Sequence, residues 1–292
     1  MLLSCRCEFI RTLDGAARRL VATMNVRINS HLQCTARYRS SSRHSTLPPF
    51  ALIGRLKALG SRILRHMNAR VLLSWSSGKD SAWTLYRLCQ QAAIEIVGLL
   101  TTFNQAAERV AMHAVRQTLV EAQAAAVGVP LWPVVLPFPC NNEQYADIMR
   151  GVIAQAQAAG VTHMAFGDLF LTDIRAYRET MLAGTGITPL FPLWGRAANT
   201  AGLAQEMLAG GLRAVLTCVD PKQLPVEFCG RAFDQALLKT LPASVDPCGE
   251  NGEFHTFCHA GPMFAHDIPI TVGASLTRDG FCFTDLLPAA RP

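Results

Sequence analysis

The stretch Val71-Leu72-Leu73-Ser74-Trp75-Ser76-Ser77-Gly78-Lys79-Asp80-Ser81-Ala82-Trp83 leaves few folds open to this chain. Val71 to Leu73 read as a short, fully buried strand, because they are apolar without alternation. Ser76 to Gly78 supply small turn residues, and Asp80-Ser81-Ala82-Trp83 open a helix with an acidic first turn. A strand that feeds a helix through such a loop directs several backbone N–H groups at one point. The helix dipole reinforces them, so that point favours an oxyanion. Lys79 adds a full positive charge, and Ser76 and Ser81 add hydroxyl donors. The stretch reads as a phosphate cradle, with an ordinary strand–helix turn with a polar N-terminus as the alternative.

Two familiar cradles are excluded. A Walker A loop needs glycine where Leu73 stands and Ser or Thr where Asp80 stands. A dinucleotide fingerprint needs three spaced glycines, and only Gly78 is present.

The rest of the body repeats the strand–helix alternation. Helices are predicted over 81–92, 112–126 and 143–158, and strands over 94–101, 131–136 and 162–166. Tyr145, Ile148, Met149, Val152, Ile153 and Ala156 fall on one helical face. This pattern predicts right-handed parallel βαβ units with ligands at the carboxyl edge of the sheet, where the cradle sits. Asp168, straight after Gly167 at the fourth strand's tip, is a candidate site residue; helix capping by Thr172 beside Asp173 does not account for it. Residues 189–195, Pro-Leu-Phe-Pro-Leu-Trp-Gly, read as a stiff linker closing the first domain. A second domain follows, with helices over 200–209 and 230–241 and strands over 212–219, 268–276 and 281–286; Arg278-Asp279-Gly280 turns the last pair. Between them, residues 246–256 place Glu250 and Glu253 among glycines, which no helix interior tolerates. Glu250, Glu253 and His255 there have the chemistry to bind Mg²⁺, orient a nucleophile or move a proton, and a turn with solvated carboxylates fits equally well.

Charge separates the chain into unequal parts. Residues 1–66 hold 12 Lys+Arg against 2 Asp+Glu, whereas the remaining residues hold 15 against 19. The mildly acidic body carries no broad nucleic-acid surface. The basic segment matches a transit peptide, a basic tail, or sequence upstream of a start at Met67; the last is favoured, because the globular pattern begins at residue 68. No run of about 18 apolar residues marks a membrane span. Ten cysteines without Cys-x-x-Cys spacing indicate reduced thiols and a cytoplasmic setting, and the crowding of Cys248, His255, Cys258 and His259 suits packed side chains better than zinc.

Taken together, four blocks are similar to the diphthine–ammonia ligase family: Ser76 to Ser81, the run from Gly167 to Glu179, Pro-Leu-Trp-Gly ending at Gly195, and Gly-Glu-Asn-Gly-Glu-Phe-His-Thr ending at Thr256. The first resembles the Ser-Gly-Gly-x-Asp-Ser pyrophosphate loop of N-type ATP pyrophosphatases, with Ser77 replacing a glycine; a positive φ there would strain the serine. The resemblance covers about residues 67–286. It implies an α/β fold: a five-stranded parallel nucleotide-binding (HUP-like) domain over 67–198 and a smaller C-terminal α/β domain over 199–292. It also implies an AMP-forming ligase in which ATP adenylates a carboxylate and free ammonia then gives the amide, no glutaminase module fitting the chain. ATP and Mg²⁺ would be the cofactors, and ammonia and a carboxylate acceptor, for the family diphthine on an elongation factor, the partners; a homodimer is compatible. Lys79, Asp80, Asp168, Glu250 and Glu253 would be catalytic. Ser76, Ser77, Gly78, Lys79, Asp80, Ser81, Thr101, Thr102 and Gly167 would bind nucleotide, with Thr101 and Thr102 at a strand tip facing the nucleoside and Asp80 positioning Mg²⁺ or the loop. Met112 and His113 fall near the same edge, with a satisfied structural histidine the favoured reading of His113. Rival readings are a relative amidating or thiolating another substrate such as tRNA, and a regulator that binds ATP intact.

Overall fold

The computed structural model describes residues 68–105, 109–110 and 113–290. The expectations for the basic segment 1–66 and for Met112 lie outside these residues. The described chain is built on two sheets.

The first sheet contains β1 (Ala69–Ser74), β2 (Ile94–Asn104), β3 (Arg109–Val110), β4 (Leu131–Leu136), β5 (His163–Ala165) and β6 (Thr188–Leu190). Five run parallel, in the order β4-β2-β1-β5-β6, and the two-residue β3 adds an antiparallel edge against β2. Val71, Leu72 and Leu73 are wholly buried because β1 lies in the middle of this sheet with both faces covered. Its pleat divides the core: Val71 and Leu73 join one apolar cluster and Leu72 the other. The first cluster takes Ala82, Leu85 and Leu88 of α1 (Lys79–Cys89) and Leu119, Val120 and Ala124 of α2 (Gln117–Val127). The second takes Met149, Val152, Ile153 and Ala156 of α3 (Asn142–Ala158) and Leu182 of α4 (Thr172–Leu182). Helices thus cover both faces, and the strand order reverses between β1 and β5. Ligands bind at such a switch point, at the carboxyl ends of the strands.

The second sheet is antiparallel and follows α5 (Thr200–Ala209): β7 (Arg213–Val219), β8 (Ala232–Phe233), β9 (Phe254–Ala260), β10 (Ile270–Arg278) and β11 (Phe281–Pro288), with the short α6 (Gln235–Thr240) beside it. β7 is central, pairing β9 on one side and β8 and β11 on the other. Its Ala214, Leu216 and Val219, with Phe257 and Cys258 of β9, share the first sheet's α1/α2-side core. The architecture is the α/β one expected, a mostly parallel HUP-like sheet followed by a smaller C-terminal domain.

Several local expectations need correction. Residues 189–190 are not linker: they form β6, the fifth parallel strand, and Pro189 is tolerated because that strand is an edge. The predicted helix over 230–241 shrinks to Gln235–Thr240, since Ala232–Phe233 pairs with β7 and the Asp234 side chain caps the helix by accepting from Leu237 N at 2.7 Å. The helix predicted from residue 112 begins only at Gln117, because Val110 N donates to Val115 O and closes a turn first. Leu171, not Thr172, is the N-cap of α4. β2 continues to Asn104, so Thr101 and Thr102 sit within the strand rather than at its tip.

Candidate active site

The loop after β1 holds an unusual backbone. Ser77 has φ +67°, the left-handed region where a side chain is strained, and its hydroxyl is buried with no hydrogen-bond partner. The loop is pinned there from two sides: Ser77 O accepts from Cys258 N of β9 at 2.9 Å and from Gln123 Nε2 of α2 at 3.0 Å. Gln123, fully buried, also donates to Cys258 O at 2.6 Å and accepts from Trp75 Nε1 at 2.8 Å. Sequence reasoning passed over Gln123. The available signal was a lone polar residue on the face shared by Leu119, Val120 and Ala124.

From Gly78 onward the loop is docked on β9. Lys79 N donates to Thr256 Oγ1 at 3.1 Å, and a Cβ on Gly78 would sit 3.0 Å from Thr256 O and 3.1 Å from His113 Cε1. Gly78 therefore has steric reason to be glycine. Ser76 Oγ and Ser81 Oγ lie 3.2 Å apart, and Ser81 Oγ donates to Gly78 O at 3.0 Å.

The Lys79 side chain turns inward. Its ammonium donates to Asp80 Oδ1 and Oδ2 at 3.0 and 2.8 Å and to the Cys248 carbonyl, and it lies 5.5 Å from the ring centre of Phe254. Burial, the largest single influence, opposes its charge, but Asp80, Cys248 and Asp246 together outweigh it and hold the group above the ordinary lysine range. A fixed cation thus sits beneath the loop with its N–H groups committed to protein acceptors. Burial also drives the Cys248 thiol far up, so it stays protonated.

Across the switch point, Gly167 and Asp168 follow β5. A Cβ on Gly167 would come within 3.1 Å of Asp80 C and Ser81 N, so glycine lets the β5 tip pass directly under the start of α1. Asp168 is buried and faces Arg178 of α4, Oδ2 to Nε 3.7 Å. Next to it, Leu169 N donates to Glu250 Oε1 at 2.9 Å, tying the glutamate loop to the tip of β5 across 81 residues of sequence. Gly249 and Gly252, at φ +67° and +89°, make that loop possible.

These elements enclose one cleft. Ser76, Lys79, Asp80, Ser81, Gly167, Asp168 and Glu250 all line it, together with His113, Phe166, Arg178, Phe254, His255 and Thr256; its empty space, open mouth included, is ≈ 560 Å³. The expected residues divide here. Glu253 does not line the cleft; its Oε1 accepts from Asp246 N at 2.8 Å and Asn251 Nδ2 at 3.1 Å, folding its own loop. Thr101 is buried and donates to Trp75 O at 2.8 Å, and neither it nor Thr102 lines the cleft. The imidazoles of His113 and His255 lie 4.6 Å apart on the wall, tilted 37° to each other, with His113 Nδ1 3.2 Å from Thr256 O.

Asp80, the phosphate loop's carboxylate, is about a fifth exposed, and both its oxygens accept from the Lys79 ammonium. No group of three or more ligand side chains stands ready among the described residues.

The parallel order β4-β2-β1-β5-β6, with a small-residue loop at its switch point, defines a HUP-like α/β class of protein. Comparison with known families narrows the class. The diphthamide synthase N-terminal domain matches residues 69–189 and the diphthamide synthase C-terminal domain residues 199–283. Diphthine–ammonia ligases of Danio rerio (28% identical over 222 residues, covering 69% of this chain and 86% of the relative) and Bos taurus (25% over 238 residues, 73% and 87%) are similar to it. The Homo sapiens enzyme is 25% identical over 222 residues, covering 68% and 82%. The chain belongs to the diphthine–ammonia ligase family.

Proposed function

We propose that this chain is an ATP-dependent ligase of diphthamide synthesis, which adenylates the diphthine carboxylate with release of pyrophosphate and then lets ammonia displace AMP. The observation that carries the reading is the junction of two loops far apart in sequence: the phosphate loop and the glutamate loop line the same cleft, bonded to each other through the Lys79 ammonium, which donates to Cys248 O.

The chemistry suits the donors. When the α–β phosphate bond breaks, negative charge grows on the leaving pyrophosphate. Donors already fixed around it stabilise that charge without reorganising. In this reading Ser76 and Ser81 supply hydroxyls, the start of α1 supplies its dipole, and Lys79 supplies a positive charge that cannot drift because Asp80 and Cys248 O hold it. Asp80 positions the Mg²⁺ that accompanies the triphosphate. Glu250, 3% exposed and anchored by Leu169 N, fronts the acceptor side. Ammonium must lose a proton before it attacks; the carboxylates and imidazoles of the cleft wall are the groups able to take it. Ser77, Gly78 and Gly167 shape the cradle, Thr101 and Glu253 act through the loops they hold, and the domain boundary falls at residues 198–199. No helix among the described residues is long and apolar enough to cross a membrane.

The test is carboxylate-dependent exchange of labelled pyrophosphate into ATP, followed by AMP release on adding ammonium. Ser76→Ala should slow exchange by ~10², the usual effect of losing one oxyanion donor. Glu250→Gln should leave ATP affinity intact and block amide formation; loss of ATP affinity instead would move that loop to the nucleotide side. ATP bound but left intact under every carboxylate would make the protein a sensor and end the ligase reading.

A further inference from the structure

Arg178 is the cleft residue for which the scheme above has no use. It projects from α4, its side chain is 16% exposed, and its Nε is buried without a hydrogen-bond partner. The nearest carboxylate, Asp168, is 3.7 Å away, close enough to balance the charge but too far for a hydrogen bond. The guanidinium lies 4.9 Å from the Phe166 ring centre and 5.9 Å from that of Tyr177. Stacking of this kind fixes the plane of the fork while leaving its in-plane donors free to point elsewhere.

A buried donor without a partner costs free energy, and native structures seldom tolerate one without a use. The planar guanidinium fork matches a carboxylate in bidentate fashion through Nε and Nη. Position argues for a carboxylate over a phosphate. Arg178 stands on the β5–α4 side of the switch point beside Asp168 and the Glu250 anchor, whereas the phosphate cradle is on the β1–α1 side. Asp168 also sets a negative charge next to the fork, which disfavours a multiply charged polyphosphate more than a single carboxylate.

The geometry points to Arg178 as the residue that grips the acceptor carboxylate before adenylation, with Asp168 and the Phe166 ring as its positioning groups. This assignment rests on the ligase reading for its substrate class. Phe166 and Asp168 orient the guanidinium; Arg178 alone touches the ligand. Its sequence signal was weak, one of two arginines in a block whose acids drew attention first.

The test uses the full chain labelled with ¹⁵N-arginine, saturated with α,β-methylene-ATP, and titrated with sodium propionate at constant ionic strength. The Arg178 Nε–H resonance is assigned by its loss in Arg178→Lys. It should move saturably with propionate and stay put with equal inorganic phosphate. Arg178→Lys keeps the charge but loses the fork, so propionate binding should weaken roughly tenfold while affinity for the nucleotide analogue is unchanged. An Nε–H resonance that shifts on nucleotide addition and then ignores propionate would give Arg178 to the phosphates and overturn the assignment, as would equal propionate affinity in Arg178→Lys. Failure of the ligase reading looks different: propionate still moves the resonance, but no carboxylate elicits pyrophosphate exchange.

Discussion

Asp285 offers a prediction whose size follows from the structure. It lies on β11 of the C-terminal sheet and receives Arg109 Nη1 at 2.9 Å, Arg116 Nε at 3.0 Å and Arg116 Nη2 at 2.6 Å. Both arginines belong to the first sheet's side of the molecule, on β3 and just before α2, so one carboxylate ties the two halves together. The Arg116 hydrogen bonds, opposed by burial and helped by Arg109, lower the Asp285 pKa from 3.8 to about 2. A tenfold change in proton affinity corresponds to about 1.4 kcal/mol, so a drop of that size is worth ~2.5 kcal/mol at most. Asp285 is 25% exposed and Arg116 40%, and water screens such pairs, which trims the contribution to ~1–2 kcal/mol. Because the folded pKa is depressed, this stability is fully present above pH 3.8 and disappears as pH falls through about 2. Asp285→Asn should therefore lower the urea-unfolding free energy by ~1–2 kcal/mol at pH 7. The difference from wild type should close between pH 4 and pH 2, and shrink in high salt. Equal stability at pH 7, or a deficit that persists unchanged at pH 2, would refute the argument that the ion pair is what Asp285 contributes.

Other expectations follow from the loop. Ser77→Gly relieves ~1–2 kcal/mol of left-handed strain and removes a buried unpartnered hydroxyl, against the added chain entropy of glycine and the loss of one buried methylene. The balance is ~1 kcal/mol in favour of glycine, read by calorimetry as a melting temperature ~2–4 °C higher; a lower one would show that the serine is not strained. Gln123→Leu strips partners from Trp75 Nε1, Ser77 O and Cys258 O at once, so unfolding in urea should show a loss of ~2–3 kcal/mol together with weakened nucleotide binding.

The local chemistry was legible in the sequence because it is written in contiguous residues. An apolar run without alternation made β1 central, serines around Gly78 made a strand-to-helix loop, and glycines around Glu250 ruled out a helix there. Each depends on backbone conformation or side-chain type within a few positions. Where local patterns failed, pairing had intervened: Pro189 and Leu190 looked like linker until β5 recruited them, and Ala232–Phe233 left the predicted helix to pair with β7. Only the folded chain decided which of the two loop glutamates meets the cleft. Glu250 reaches Leu169 N and Glu253 turns back on Asp246, two outcomes for identical side chains three residues apart. It likewise decided that the Lys79 ammonium lies against Cys248 O and that Arg178 lies over Phe166. Such contacts join residues up to 177 positions apart, as Lys79 N and Thr256 are. Their formation depends on how two sheets pack over a shared core, which no short stretch of sequence encodes.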